Sequence, residues 1–395
     1  MSASTRSFGL WELESFGTKR ELMSSADRRD SSTNVRRLVV KLGSTTVTSE
    51  SFESLVGQIA QARGAGIDVV LVTSGAVAAG MEVLGVAERP SETSRAQALA
   101  AAGQAELMGR YARSLGAHGL RCAQILLTHE DLSHRRHLLN IRHTLESAFR
   151  LGLVPVVNEN DTVATEELRF GDNDRLAAAM GSVIDADLVI LLSDVDALYD
   201  ADPRSEPEAR VIEEVSEISD EIRAVAGTAS TGLGTGGMRS KIAAAELSTG
   251  AGVPLIVASG SEPGVLNRLL DGERLGTLFS VGKETLGRRR HWISALSKIA
   301  GTLVVDAGAA RALREAGSSL LAIGISRSEG TYDRGDAVVV VGPDGEELGR
   351  GLVGYRSDDV QRIAGHRREA IMEVLGVSVA GPVVHRDDFV KHEAS

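Results

Sequence analysis

Cysteine is nearly absent: Cys122 is the only one among 395 residues. An internal disulfide is therefore excluded, and the composition fits a reducing cytoplasm. Cys122 lies in an apolar run, which points to a buried structural thiol rather than a nucleophile. Aromatic residues make up 3% of a chain that is 43% hydrophobic, so its cores must be built from Ala, Val, Leu and Ile. No apolar run approaches the ~18 residues of a membrane span. Bases are the minority charge, 43 Lys and Arg against 54 Asp and Glu, for a net charge of -11. Phosphate contact needs a basic face, so a general nucleic-acid binder is disfavoured. Residues 1–34 are polar, mixed in charge and lack the apolar centre of a secretory signal. They are expected to be a disordered arm or an over-long start, without chemistry.

Glycine, by contrast, is plentiful: 43 of 395 residues, where ~7% is usual. Such an excess points to tight turns and backbone-lined ligand loops. The length suits two domains. Leu38 to Gly80 predicts one β-α-β-α unit of a parallel sheet. In it, an apolar strand around Val39-Val40 is interrupted by Lys41 and broken at Gly43. A buried lysine is expensive without a counter-charge. Lys41 is thus either a solvated residue on an edge strand or a phosphate-facing one at a strand's C-terminal end, with Gly43 letting amides approach an anion. A second strand, Val69 to Val72, runs into Thr73-Ser74-Gly75-Ala76-Val77-Ala78-Ala79-Gly80. Strand, small residues, then helix is the layout of an anion site at a helix N-terminus. Tight packing by small residues explains the same sequence.

Further strands are expected at 120–127, 154–157, 187–192, 254–258 and 276–279, and long helices at 95–115 and 129–150. Val154 to Asp174 draws most attention. Its apolar run stops at Asn158-Glu159-Asn160-Asp161, and Gly171-Asp172-Asn173-Asp174 follows. Carboxylates and carboxamides at a buried strand's end sit where open α/β sheets bind ligands; two Asx-rich turns are the alternative. Ser193 and Asp194 also follow a strand end. His134, His137 and His143 lack the spacing of a zinc site and are expected on the surface. Gly232 to Lys241 contains a formal GxGxxG, but no strand precedes it, so a dinucleotide site is excluded; a Walker A loop does not fit either. What remains is a Gly/Thr loop feeding a helix, with Lys241 in the first turn, where its charge opposes the macrodipole. From Trp292 onward short β runs dominate. The expected organisation is an arm (1–34), an α/β domain (35–281), a linker (282–291) and a small β-rich barrel (292–391).

Five motifs in this order, KLGS (41–44), TSGAVAAG (73–80), NENDTVAT (158–165), GDND (171–174) and GTGGMRSK (234–241), resemble the bacterial glutamate 5-kinase family of the amino acid kinase superfamily. GSSLL (317–321), RIAGH (362–366) and VVHRDD (383–388) resemble its appended PUA domain. Ser193 departs from the pattern, since many relatives carry Thr there. Sister families are acetylglutamate kinase, aspartokinase and uridylate kinase; the PUA-like tail and NENDTVAT favour the glutamate 5-kinase family over all three. A role of the tail in RNA binding is disfavoured by its acidic balance and few aromatics.

The resemblance implies an open, mainly parallel sheet sandwiched by helices, beside a PUA-like domain. It implies ATP-dependent phosphorylation of the γ-carboxylate of L-glutamate, Mg2+ with the nucleotide, inhibition by proline and a cytoplasmic homo-oligomer that can couple to glutamyl phosphate reductase. Carried onto this sequence, Lys41 and Lys241 flank the transferring phosphoryl group, with Asp174 between them. Amides after Gly43 and Gly75 hold its oxygens. Asp161 and Asn173 bind glutamate's amino and carboxylate ends, and Ser74 lies near the reacting end. Lys41, Ser193, Asp194 and the segment Thr235, Gly236, Gly237, Met238, Arg239, Ser240 and Lys241 hold ATP. No protein metal ligand is assigned.

Overall fold

The structure is a computed structural model that describes residues 35–164, 173–203, 205–228, 237–282, 292–293, 295–377 and 379–392. The expected arm, most of the linker, Asp172, Thr235 and Gly236 lie outside the described residues.

The first sheet is made of β1 (Arg37–Leu42), β2 (Asp68–Thr73), β3 (Arg121–Leu127), β4 (Leu153–Glu159), β5 (Leu188–Ser193), β6 (Glu214–Val215), β7 (Leu255–Ser259) and β8 (Thr277–Phe279). Its order is β3-β4-β2-β1-β5-β7-β8-β6. Every pairing is parallel except β7 with β8. The inner strands are runs of Val, Leu and Ile because helices cover both faces and neither face can be polar. β1 is central, with β2 on one side and β5 on the other. The chain turns from one side of β1 to the other here, so a crevice opens at the strands' C-terminal ends. The two-residue β6 was not expected; it is too short to leave a pattern.

The helices of this domain are α1 (Ser44–Thr48), α2 (Ser51–Gly64), α3 (Ala76–Leu84), α4 (Thr93–Ala117), α5 (His129–Ser133), α6 (Arg135–Arg150), α7 (Asn173–Val183), α8 (Asp220–Thr228), α9 (Met238–Gly250) and α10 (Val265–Leu270). The helix expected over 129–150 is broken at His134, which adopts an extended conformation. Thr128 and Asp131 form a reciprocal capping box on α5. The Leu132 carbonyl then accepts from the Trp292 indole at 2.8 Å, and the Ser133 carbonyl from the Lys298 amide at 3.3 Å. Groups freed by the break are thus satisfied by the following domain. Cys122 is also a correction. It is half-buried rather than enclosed, because β3 is an edge strand, although burial still pushes its thiol pKa up.

The C-terminal part has a mixed sheet of β9 (Ile299–Val305), β10 (Ile325–Gly330), β11 (Ala337–Val341), β12 (Glu347–Val353) and β13 (Val384–Lys391), in the order β10-β9-β11-β12-β13. Among its described residues it carries three α-helices absent from the sequence expectation: α11 (Ala307–Glu315), α12 (Ser357–Ile363) and α13 (Arg368–Leu375). Each is under three turns long and buries only one or two apolar side chains, so its periodicity is faint. Trp292, Ile293 and Leu296 join the apolar core of the first domain. Among the described residues, no helix is long and apolar enough to cross a membrane.

Candidate active site

Lys41 is the penultimate residue of β1, in register with Val72 of β2 and Leu191 of β5. The strand is central, so the edge-strand explanation of this lysine fails. Its side chain is 8% exposed and needs a counter-charge.

Asp174 supplies it. α7 and α9 pack side by side, and Ala177, Ala178, Ala244 and Ala245 on them are fully buried. Small side chains bring the two helix starts together. Lys41 Nζ stands 2.5 Å from Asp174 Oδ1, and Lys241 Nζ stands 3.1 Å from Asp174 Oδ2. Ser240 Oγ donates to the same Oδ2 at 3.2 Å. Asp174 lies in the first turn of α7, where the macrodipole favours a carboxylate. Lys241 lies in the first turn of α9, where the dipole is unfavourable, and Asp174 offsets it. Burial alone would raise the Asp174 carboxyl; the two ammonium groups overcome it and hold the pKa below the usual range. The three side chains sum to one positive charge, which suits an anion.

The two glycines differ. Gly75 has φ 105 and caps α3, a left-handed conformation that other residues resist. It lets the chain leave β2 and enter α3, whose first amides have no partner within the helix. Gly43 has φ -67. Its amide donates to the Leu192 carbonyl at 3.1 Å, so it ties β1 to β5. The two loops touch: a Cβ on Gly75 would stand 3.6 Å from Ser44 Cα. The small residues of 73–80 serve packing as well. A Cβ on Gly80 would stand 1.9 Å from the Leu99 carbonyl oxygen of α4.

A second group of side chains was largely missed from sequence. Asn173 Nδ2 donates to the Thr73 carbonyl at 2.5 Å, Asn158 Oδ1 at 2.8 Å and Ser74 Oγ at 3.0 Å. Asn158 Nδ2 donates to Gln104 Oε1 at 2.8 Å. Behind them the buried Tyr111 hydroxyl donates to Thr73 Oγ1 at 2.9 Å, and burial pushes its pKa up. Gln104 and Tyr111 sit in an Ala-rich helix, and periodicity says only that they face inward. The nitrogen of Asn173 is already spent, so its remaining offer is the acceptor Oδ1. That suits an ammonium group better than the carboxylate expected for this residue.

The other expected residues are spread around this centre. Asp161 is half-buried in the turn after β4. Ser193 ends β5 beside Gly43, but its hydroxyl is engaged with Val195 in its own turn. Asp194 and Arg239 are exposed, Met238 is buried in the core, and Gly237 precedes α9. Of the three histidines, His137 and His143 are exposed and His134 is half-buried. No group of three His, Cys, Asp or Glu among the described residues could hold a metal.

Residues 36–259 match the model of the amino acid kinase family, and residues 301–375 match that of the PUA domain. A glutamate 5-kinase of Pseudomonas putida strain F1 is 46% identical over 369 residues, covering 92% of this chain and 99% of the relative. One from Geobacter sp. strain M21 is 44% identical over 370 residues, with the same coverage. One from Chromohalobacter salexigens is 46% identical over 374 residues, covering 93% of this chain and 99% of the relative.

Proposed function

The chain belongs to the glutamate 5-kinase family of amino acid kinases, with an appended PUA domain, and we propose that it transfers the terminal phosphoryl group of ATP to the 5-carboxylate of L-glutamate, forming L-glutamyl 5-phosphate for proline synthesis. The observation that carries this is the Lys41–Asp174–Lys241 bridge at the mouth of the sheet.

A carboxylate with a pKa near ~4.3 is ionised at neutral pH and needs no general base. The obstacle is charge, since an anion must approach a phosphoryl group that is itself anionic. Positioning and electrostatic stabilisation then do the catalysis. The substrate oxygen attacks the γ-phosphorus, the bond to the bridging oxygen breaks, and ADP leaves with the electron pair. Lys41 and Lys241 flank the group in transfer, and Asp174 holds both ammonium groups in place. Amides after Gly43 and Gly75 cradle its oxygens. Ser193, Asp194 and the residues from Thr235 to Lys241 hold the nucleotide. Asp161 and Asn173 take the substrate's ammonium group, with Ser74 near the reacting end. Magnesium bound with ATP would offset charge on the phosphates, and no protein ligand is assigned to it.

From the family resemblance we add proline as an end-product inhibitor, a cytoplasmic homo-oligomer, coupling to glutamyl phosphate reductase, and a division into domains 35–281 and 292–391. The test is ATP turnover by the purified protein with L-glutamate, N-acetylglutamate, aspartate or UMP, trapping acyl phosphate as the hydroxamate, with and without proline. Glutamate-dependent hydroxamate is the expected outcome; turnover with another acceptor alone sinks the assignment.

A further inference from the structure

Gln104, Asn158 and Asn173 form a row of carboxamides whose direction is fixed. At one end the Thr73 carbonyl oxygen, which can only accept, faces Asn173 Nδ2. In the middle the Glu159 amide, which can only donate, bonds to Asn158 Oδ1 at 2.9 Å. These two backbone groups determine which atom of each asparagine is oxygen. Asn158 Nδ2 must then donate onward, and its partner is Gln104 Oε1. The row ends in two opposite atoms. Asn173 Oδ1 is an acceptor and Gln104 Nε2 a donor, both buried and both without a hydrogen-bond partner among the described residues. Native structures seldom leave such atoms unpaired, and each one calls for an explanation.

The substrate supplies one. An L-amino acid carries an ammonium group, which needs acceptors, and an α-carboxylate, which needs donors. Asp161 and Asn173 Oδ1 answer the first; no residue above answers the second. The lysines cannot, because a carboxylate held there would be the one phosphorylated. Gln104 follows Gly103, which packs so near α3 that a Cβ there would stand 1.9 Å from the Ala76 carbonyl oxygen.

We propose that Gln104 determines substrate specificity: its Nε2 donates to the α-carboxylate of the amino-acid substrate while its Oε1 keeps Asn158 in orientation. This rests on glutamate being the acceptor. A neutral donor holds the α-carboxylate away from the phosphoryl group and leaves the distal one to react.

Gln104→Glu separates the two tasks. It has the same shape and keeps an oxygen for Asn158, but it loses the donor. Gln104→Met loses both. The experiment measures kcat and KM for L-glutamate and for its α-carboxamide, L-isoglutamine, with the ATP KM and melting temperature of each variant. The unaltered enzyme should prefer glutamate. Gln104→Glu should raise the glutamate KM by about tenfold to a hundredfold, the worth of one hydrogen bond to a charged group. Its ATP KM should stay within about twofold. Its preference should shift towards isoglutamine, whose amide can donate to the new carboxylate; a residue that merely buttresses Asn158 would not produce that shift. Gln104→Met should lose discrimination between the two acceptors. An unchanged glutamate-to-isoglutamine ratio in Gln104→Glu overturns the proposal, as does an unaltered enzyme that accepts both equally. Absence of any glutamate turnover by the unaltered enzyme removes the functional assignment and this proposal together. Normal turnover with an unmoved ratio removes only the role of Gln104.

Discussion

Gly103 and Gly80 meet so closely that a Cβ on Gly103 would stand 2.2 Å from the Gly80 amide nitrogen and 1.9 Å from the Ala76 carbonyl oxygen. The helix capped by Gly75 is therefore set against α4 by two residues without side chains. The position of the amides at its start depends on that contact.

Gly103→Ala should destabilise the protein. Alanine in a helix gains ~1 kcal/mol in propensity, but overpacking against backbone typically costs ~1–3 kcal/mol and sometimes more, so the second effect wins. A lower urea midpoint is expected, with a raised KM as the 73–76 loop shifts. A midpoint at or above that of the unaltered protein would show that the helices separate freely.

Lys41→Met and Lys241→Met should each lower kcat by ~10²–10³, the usual loss when one donor to a transition-state charge is removed. Steady-state kinetics at saturating glutamate and ATP measures this. Near-normal kcat in both variants would remove the lysines from the transfer step.

Asp174→Asn leaves two buried ammonium groups without their carboxylate. Breaking a buried ion pair from one side typically costs ~3–5 kcal/mol. Adding Lys241→Met should restore part of that loss, and a double-mutant cycle by urea unfolding reads the coupling. Strict additivity would deny that the two groups interact.

Acid should act through the same carboxyl. Its folded pKa is depressed by Lys41 and Lys241 against the opposing effect of burial. The stability it contributes is therefore fully present above its unfolded value, ~3.9, and is lost as pH falls through the lower folded value. The stability difference between the unaltered protein and Asp174→Asn should be flat near neutrality and shrink below about pH 4. A difference that grows on acidification would contradict the sign.

Trp292→Phe keeps most of the buried ring but removes the donor to the Leu132 carbonyl. A buried acceptor left unpaired costs ~1–3 kcal/mol, measured again by urea unfolding. No change would mean that the Leu132 carbonyl finds another partner at the His134 break.

Much of the first domain was legible because its signals are local. Val39-Val40, Val69 to Val72 and Leu188 to Leu192 are buried on both faces, so each leaves a continuous apolar run. Gly75 announced a turn because only glycine takes its φ freely. Lys41 and Lys241 stood out because charge in a buried strand, or at the positive end of a helix, conflicts with its own surroundings. A conflict of that kind signals a missing partner without naming it.

Sequence alone determined the alternation of strands and helices, the exclusion of disulfides and the positions where charge was out of place. Tertiary structure decided which partners resolved those conflicts. Asp174 meets Lys241 across 67 positions because small residues on two helices let their starts converge. Gln104 meets Asn158 across 54 positions because α4 packs on β3, the strand beside β4. His134 interrupts a helical pattern because groups from the following domain bond the exposed carbonyls. Burial patterns repeat every two or 3.6 residues and can be read along the chain, whereas a hydrogen bond or ion pair depends on where distant segments are brought together in space.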